Sequence, residues 1–182
     1  MDKFTLNRNE SVLMIIDIQE RLAAAMKFRE QVIRRSNTLI GAAAYLGMPV
    51  IVTEQYPKGL GKTVADISLD ISKALTFEKT TFSGCTEEVV AALKQLGKRK
   101  IIVTGMETHV CVFQTVRDLL ACGYQVFVVG DAVCSRTKEN YLNGLALMSL
   151  MGAVVVNTEI VFFDLIKKAN TAEFRELLPL IK

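Results

Sequence analysis

Histidine is nearly absent: His109 is the only one in the chain, so a nucleophile here has a single imidazole to draw on as base. The four cysteines, Cys85, Cys111, Cys122 and Cys134, show no C-x-x-C spacing, which argues against a redox pair or a zinc knuckle. No apolar run approaches the roughly 20 residues that span a bilayer. The opening Met1-Asp2-Lys3-Phe4 lacks the charged-then-apolar pattern of a signal peptide. A cytoplasmic protein with reduced thiols and no membrane contact is the expectation. Basic clusters interleaved with aromatics are also missing, and a net charge of +3 is too small to point to nucleic acid. The longest basic stretch, Lys98-Arg99-Lys100, reads as a surface junction between a helix and a strand.

What is present is an ordinary globular mix, 51% apolar and 23% charged over 182 residues, enough for one domain spanning 1–182. Apolar runs recur at Val12–Ile16, Val50–Val52, Ile101–Thr104, Val126–Val129 and Ala153–Val156, with a weaker one at Ala74–Glu78. Between them lie helical patterns near Phe28–Leu46, Thr86–Leu96, a helix that carries Cys111 in its first turn, and Lys138–Leu150, followed by glycine at 47, 97, 123 and 152. Shorter helices near Ile160–Lys168 and Ala172–Leu180 finish the chain. Strand, helix, glycine, strand is the rhythm of right-handed βαβ crossovers. Continuous rather than alternating apolar runs fit parallel strands covered on both faces. The fold expected is α/β: six strands with helices on both sides.

Ligands of such sheets bind beyond the carboxyl ends of the strands. The residues there are Asp17, Glu54, Lys79, Glu107 with Cys111, and Asp131. A carboxylate, an ammonium and a thiol make chemical sense together. Cys111, in Gly105-Met-Glu-Thr-His-Val-Cys-Val112, falls in the expected first turn of a helix. Unpaired N–H groups and the helix dipole would there lower the thiol pKa from about 8.5 toward 7 or below. His109, two residues away, points elsewhere on a helix, so Asp17 is the better base by position. Lys79 would hold both anions by charge-assisted hydrogen bonds. Gln19, Tyr56, Phe82, His109 and Val110 lie close to strand ends and are the candidate pocket walls.

Gly105-x-x-Thr108-x-x-Cys111-Val112, Asp17-x-Gln19 after the first strand and Lys79 after the third together resemble the isochorismatase-like (cysteine hydrolase) superfamily. The resemblance covers nearly the whole chain, and Thr53-Glu-Gln-Tyr-Pro-Lys-Gly-Leu-Gly61 is similar to the loop of its isochorismatase domain-containing branch. It implies strand order 3-2-1-4-5-6, a catalytic triad of Asp17, Lys79 and Cys111, and a cis peptide between Met106 and Glu107. It also implies an oxyanion hole from the backbone N–H groups of Glu107 and Cys111, and a homo-oligomer. Nicotinamidases of this superfamily hold a metal through an Asp-x-His pair and a further histidine. Thr53–Gly61 has no histidine, so neither metal nor other cofactor is expected. True isochorismatases cleave a vinyl ether and do not keep the cysteine, so Cys111 points to a carbon–nitrogen bond in a small molecule.

Competing readings are a scaffold protein retaining the triad without a substrate, and a thiol redox sensor at Cys111. The second needs Cys85 or Cys134 nearby, because Cys122 lies about 16 Å along the same expected helix. Gly61-Lys62-Thr63 echoes a phosphate loop, but Tyr56 stands where its first glycine belongs. Gly105–Gly130 contains no G-x-G-x-x-G, so the sheet alone licenses no dinucleotide.

Overall fold

Val, Ile and Leu fill the strands because both faces of the sheet are covered. In the computed structural model, which describes residues 2–69 and 73–182, β1 (Ser11–Ile16) is buried along its whole length. Its side chains divide by the period-2 rule. Leu13 and Ile15 enter one core with Val32, Leu39, Phe162 and Leu177, whereas Val12, Met14 and Ile16 enter the other with Val89, Leu93, Val116 and Met148. The first core lies under α1 (Glu20–Ala24), α2 (Arg29–Leu46), α7 (Thr158–Ile166) and α8 (Ala172–Leu177). The second lies under α4 (Glu87–Leu96), α5 (Phe113–Ala121) and α6 (Lys138–Leu150).

The remaining strands are β2 (Val50–Gln55), β3 (Leu75–Lys79), β4 (Lys100–Met106), β5 (Gln125–Cys134) and β6 (Val154–Val156), and Pro57–Leu60 forms the short α3. All pair in parallel in the order β3-β2-β1-β4-β5-β6, as the resemblance implied. The order reverses between β1 and β4, and there the two crossovers leave on opposite faces and open a crevice at the carboxyl end. The backbones approach closely at that point. Gly105 has φ +131°, and a Cβ on it would sit 2.0 Å from the Ile16 carbonyl oxygen, so no larger residue fits.

Two details depart from the sequence expectation. Lys100 is not on the surface but 2% exposed, its ammonium paired with Asp2 at 2.9 Å and Glu10 at 3.2 Å and donating to the Thr5 carbonyl. Its long stem runs along the sheet while carboxylates reach in to meet the charge. The other is the turn containing Cys111. Thr108–Val112 forms a π-helical turn that precedes α5, so Cys111 is not in the first turn of an α-helix.

Candidate functional site

At the carboxyl end of β1 the chain must leave the sheet, and Asp17 does this with a left-handed φ of 51°. Asp tolerates that region better than most residues, at a cost of about 1–3 kcal/mol. Its carboxylate is fully buried and fully engaged. Thr53, near the end of β2, donates its hydroxyl to Oδ1 at 2.7 Å, and Lys79 Nζ, from the end of β3, donates to Oδ2 at 2.7 Å. The pair is dry, with side-chain exposures of 1% and 0%. The ammonium is also held by Gln55 Oε1 at 3.3 Å and by the carbonyls of Thr81 and Phe82, each at 3.1 Å. Cys111 Sγ meets the same group, donating to Gln55 Oε1 at 3.1 Å. Three residues far apart in sequence therefore share one small polar volume.

Burial raises the Asp17 carboxyl above the usual carboxylate range, although the Lys79 charge and N–H, the Thr53 hydroxyl and the Cys111 thiol all pull it down. A raised carboxyl is a better proton acceptor. For Cys111 the expected depression is overturned. Burial, and next the charge of Asp17, push the thiol up to about 12, with Glu107 adding to the rise and Lys79 opposing it. At 5% exposure the cost of burying a thiolate outweighs any dipole contribution from the turn. Lys79 reaches Asp17 but makes no hydrogen bond to sulfur. Burial therefore favours the neutral thiol over the thiolate.

The turn that carries Cys111 is fixed from several sides. The Met106–Glu107 peptide bond is cis. The Glu107 carboxylate accepts from Arg136 N at 3.0 Å and Nε at 3.1 Å, tying the turn to the end of β5. Thr115 donates its hydroxyl to the Cys111 carbonyl at 2.6 Å and accepts from Gly84 N at 2.7 Å, which joins the turn to the loop that holds Lys79. From the other side α6 presses on it: a Cβ at Gly144 would lie 3.1 Å from the Thr108 carbonyl oxygen and 3.2 Å from His109 N. Gly144→Ala should gain helix propensity, up to about 1 kcal/mol, and lose alignment. The expected result is a nearly unchanged melting temperature with Cys111 alkylation slowed about tenfold. Equal alkylation rates would show that the turn is insensitive to α6.

The candidate walls are placed unevenly. Gln19 is buried and clamps backbone, with Nε2 donating to the Gln55 carbonyl at 3.0 Å and the Gly61 carbonyl at 2.7 Å, and Oε1 accepting from Gln55 N at 2.8 Å. Tyr56 is 56% exposed and borders, with Lys58 and Lys79, a cleft of about 420 Å³. Phe82 is 53% exposed and meets the site through its carbonyl rather than its ring. His109 Nδ1 lies 3.0 Å from Ser135 Oγ, and Val110 packs against the core under the turn. Glu54 is structural: its Oε1 accepts from the N–H and hydroxyl of Thr63, and its Oε2 pairs with Lys62, which holds the 57–63 strap. Asp131 likewise caps Thr158 and pairs with Arg35. Sequence reasoning missed Thr53, Gln55 and Thr115. Among the described residues no group of three or more His, Cys, Asp or Glu is placed to hold a metal.

Parallel order 3-2-1-4-5-6, with acid, ammonium and thiol gathered at the switch point, defines a doubly wound α/β protein. The isochorismatase domain model matches residues 11–160, and the chain belongs to that family. It is 40% identical over 180 residues to isochorismatase family protein 1A of Dictyostelium discoideum, covering 96% of this chain and 87% of that one. Isochorismatase domain-containing protein 1 of Danio rerio is 38% identical; the match covers 94% of this chain but only 61% of the fish protein. Among solved structures, the MAR1 ribonuclease of Caenorhabditis elegans superposes with a TM-score of 0.90 at 37% identity, covering 97% of this chain and 92% of that one.

Proposed function

We propose that residues 1–182 act as one metal-independent cysteine hydrolase domain that cleaves the C–N bond of a small amide-type molecule through a thioester on Cys111. The observation that carries this reading is the dry Lys79–Asp17 pair at 2.7 Å with the Cys111 thiol beside it. Sulfur attacks the amide carbon while its proton passes to Asp17. The carbonyl oxygen takes up negative charge and is met by the N–H groups of Glu107 and Cys111. The C–N bond then breaks, Asp17 returns the proton to the departing nitrogen, and a thioester remains. Water, losing a proton to Asp17, attacks the thioester; the C–S bond breaks, Asp17 gives that proton to the departing sulfur, and the acid leaves with the thiol restored. Lys79 holds Asp17 in place throughout and limits how far its charge is lost.

Carboxylates rather than free cations border the thiol, with Asp17 and Glu107 close and Lys79 already committed, which disfavours a polyanion such as RNA as substrate. Cytoplasmic residence, with Cys111 kept as a free thiol, belongs to the same proposal. Assembly into a homo-oligomer is also part of it, supported by Leu142, Leu147 and Leu150 exposed along α6. Sedimentation showing only monomer at micromolar concentration would remove that element.

The test is a panel of small primary amides and carbamoyl compounds, followed by intact-protein and peptide mass spectrometry. An accepted compound is expected to leave an acyl mass on Cys111 that hydroxylamine removes, and to release ammonia, or an amine where the leaving nitrogen is substituted. Turnover with the acyl mass on another residue, or turnover that needs an added metal, would overturn the mechanism.

A further inference from the structure

Gln55 closes β2 and stands opposite Lys79 in the β2–β3 register. Its backbone is pinned on both sides by the Gln19 side chain, so the fold fixes where Gln55 starts and leaves its own amide free for other use. That amide turns inward. Its Oε1 accepts from Cys111 Sγ at 3.1 Å and from Lys79 Nζ at 3.3 Å. Two donors converging on one amide orient its oxygen toward them. The Nε2 group makes no hydrogen bond among the described residues, and Gln55 is partly exposed, so the amide N–H groups are on the open side.

This arrangement gives the thiol two acceptors within reach, the Asp17 carboxylate and the Gln55 oxygen. Only the first leads to chemistry, since an amide oxygen is far too weak a base to keep a thiol proton. While the S–H points at Gln55, the proton is parked away from the group that must take it. The same oxygen draws on the Lys79 ammonium, which lowers what that charge can do for a forming thiolate. The groups facing the sulfur are Asp17 from the end of β1, Lys79 from β3 and Glu107 from the end of β4. Gln55 is the uncharged member that sits between them.

We infer that Gln55 is a positioning residue that holds the Cys111 thiol in its resting, protonated arrangement and gives it up to Asp17 when a substrate carbonyl displaces the amide. The displaced side chain then offers its Nε2 N–H groups to the substrate. A substrate with a hydrogen-bond acceptor beside the scissile carbon, such as an amide or ureido carbonyl, suits that donor. The inference rests on Cys111 being the nucleophile.

The test follows the rate of Cys111 carbamidomethylation against pH by peptide mass spectrometry, in the parent protein, Gln55→Met and Gln55→Glu. Methionine keeps the length and removes the acceptor; glutamate keeps the acceptor and adds charge. Because the acceptor stabilises the neutral thiol, Gln55→Met should move the profile to lower pH by about one unit, roughly tenfold in rate on the slope. Gln55→Glu should move it to higher pH. A residue that merely packs would move both profiles the same way through loosening, and melting curves of the variants check for that. Profiles that superimpose on the parent, or that shift in one common direction, overturn the inference. If they superimpose while the parent Cys111 still acquires the acyl mass from an amide, the hydrolase reading stands and Gln55 alone falls. Opposite shifts with no acyl mass on the parent would place the failure in the hydrolase reading instead.

Discussion

Cys111→Ala should lower turnover of any accepted amide by about 10⁴-fold or more, because the residual binding site has no atom able to form the thioester. The side chain is small and sits beside polar partners, so its loss should cost about 1 kcal/mol of stability or less. The melting transition should therefore stay cooperative and close to that of the parent. Asp17→Asn should be nearly as damaging to turnover, by about 10²–10⁴-fold, since an amide cannot accept the thiol proton or return it to the leaving nitrogen. Steady-state assays on the two proteins, at matched folded concentration, check both figures. Comparable turnover in Cys111→Ala would remove the thioester mechanism altogether.

Lys79→Met is expected to be the most destabilising change at the site. Methionine has the length of the lysine stem but leaves the Asp17 carboxylate buried with only the Thr53 hydroxyl and the Cys111 thiol, both neutral, as partners. Breaking a buried pair in this way costs about 3–5 kcal/mol. The double variant, Asp17→Asn with Lys79→Met, removes both charges and should recover part of that loss, which urea denaturation would show as a midpoint above the single variant's. The pH dependence has a definite sign. Burial already raises Asp17, and without Lys79 it must rise further. A carboxyl whose folded pKa exceeds its unfolded value, about 3.9, binds its proton more tightly when folded. The deficit of Lys79→Met should thus be full well above the raised pKa and shrink as pH falls through it. A deficit that grew toward acid would mean that Asp17 is not the partner that matters.

Much of this was legible in the chain because parallel strands advertise themselves. Val12–Ile16 and Ile101–Thr104 read as buried strands, and Gly47 and Gly97 as helix stops; both glycines take the left-handed cap. β5 was read too short, since Gly130 and Asp131 interrupt its apolar run while the ladder continues, after a register shift, to Cys134. Asp17, Lys79 and Cys111 were found because strand ends can be counted. Gln55 and Thr115 were not, because an uncharged side chain gains its role from the direction it takes after folding. The Cys111 pKa was expected with the wrong sign for a related reason. Position in a turn is local and readable, whereas burial and the facing carboxylate depend on three strands meeting.

Asp17 and Lys79 precede β4 in the chain, and Cys111 follows it, although all three end within one polar cluster. The nascent chain therefore emerges from the ribosome with acid and ammonium first and the thiol later. No stretch made before β4 contains Cys111, and no stretch made after it contains Asp17 or Lys79. On the proposed mechanism, a nick in the connection before β4 would leave two inert pieces rather than one weakened catalyst, and an early stop there would leave a single inert one. Reassociated halves, mixed in a tube, would have to rebuild the β1–β4 seam before either could contribute to turnover.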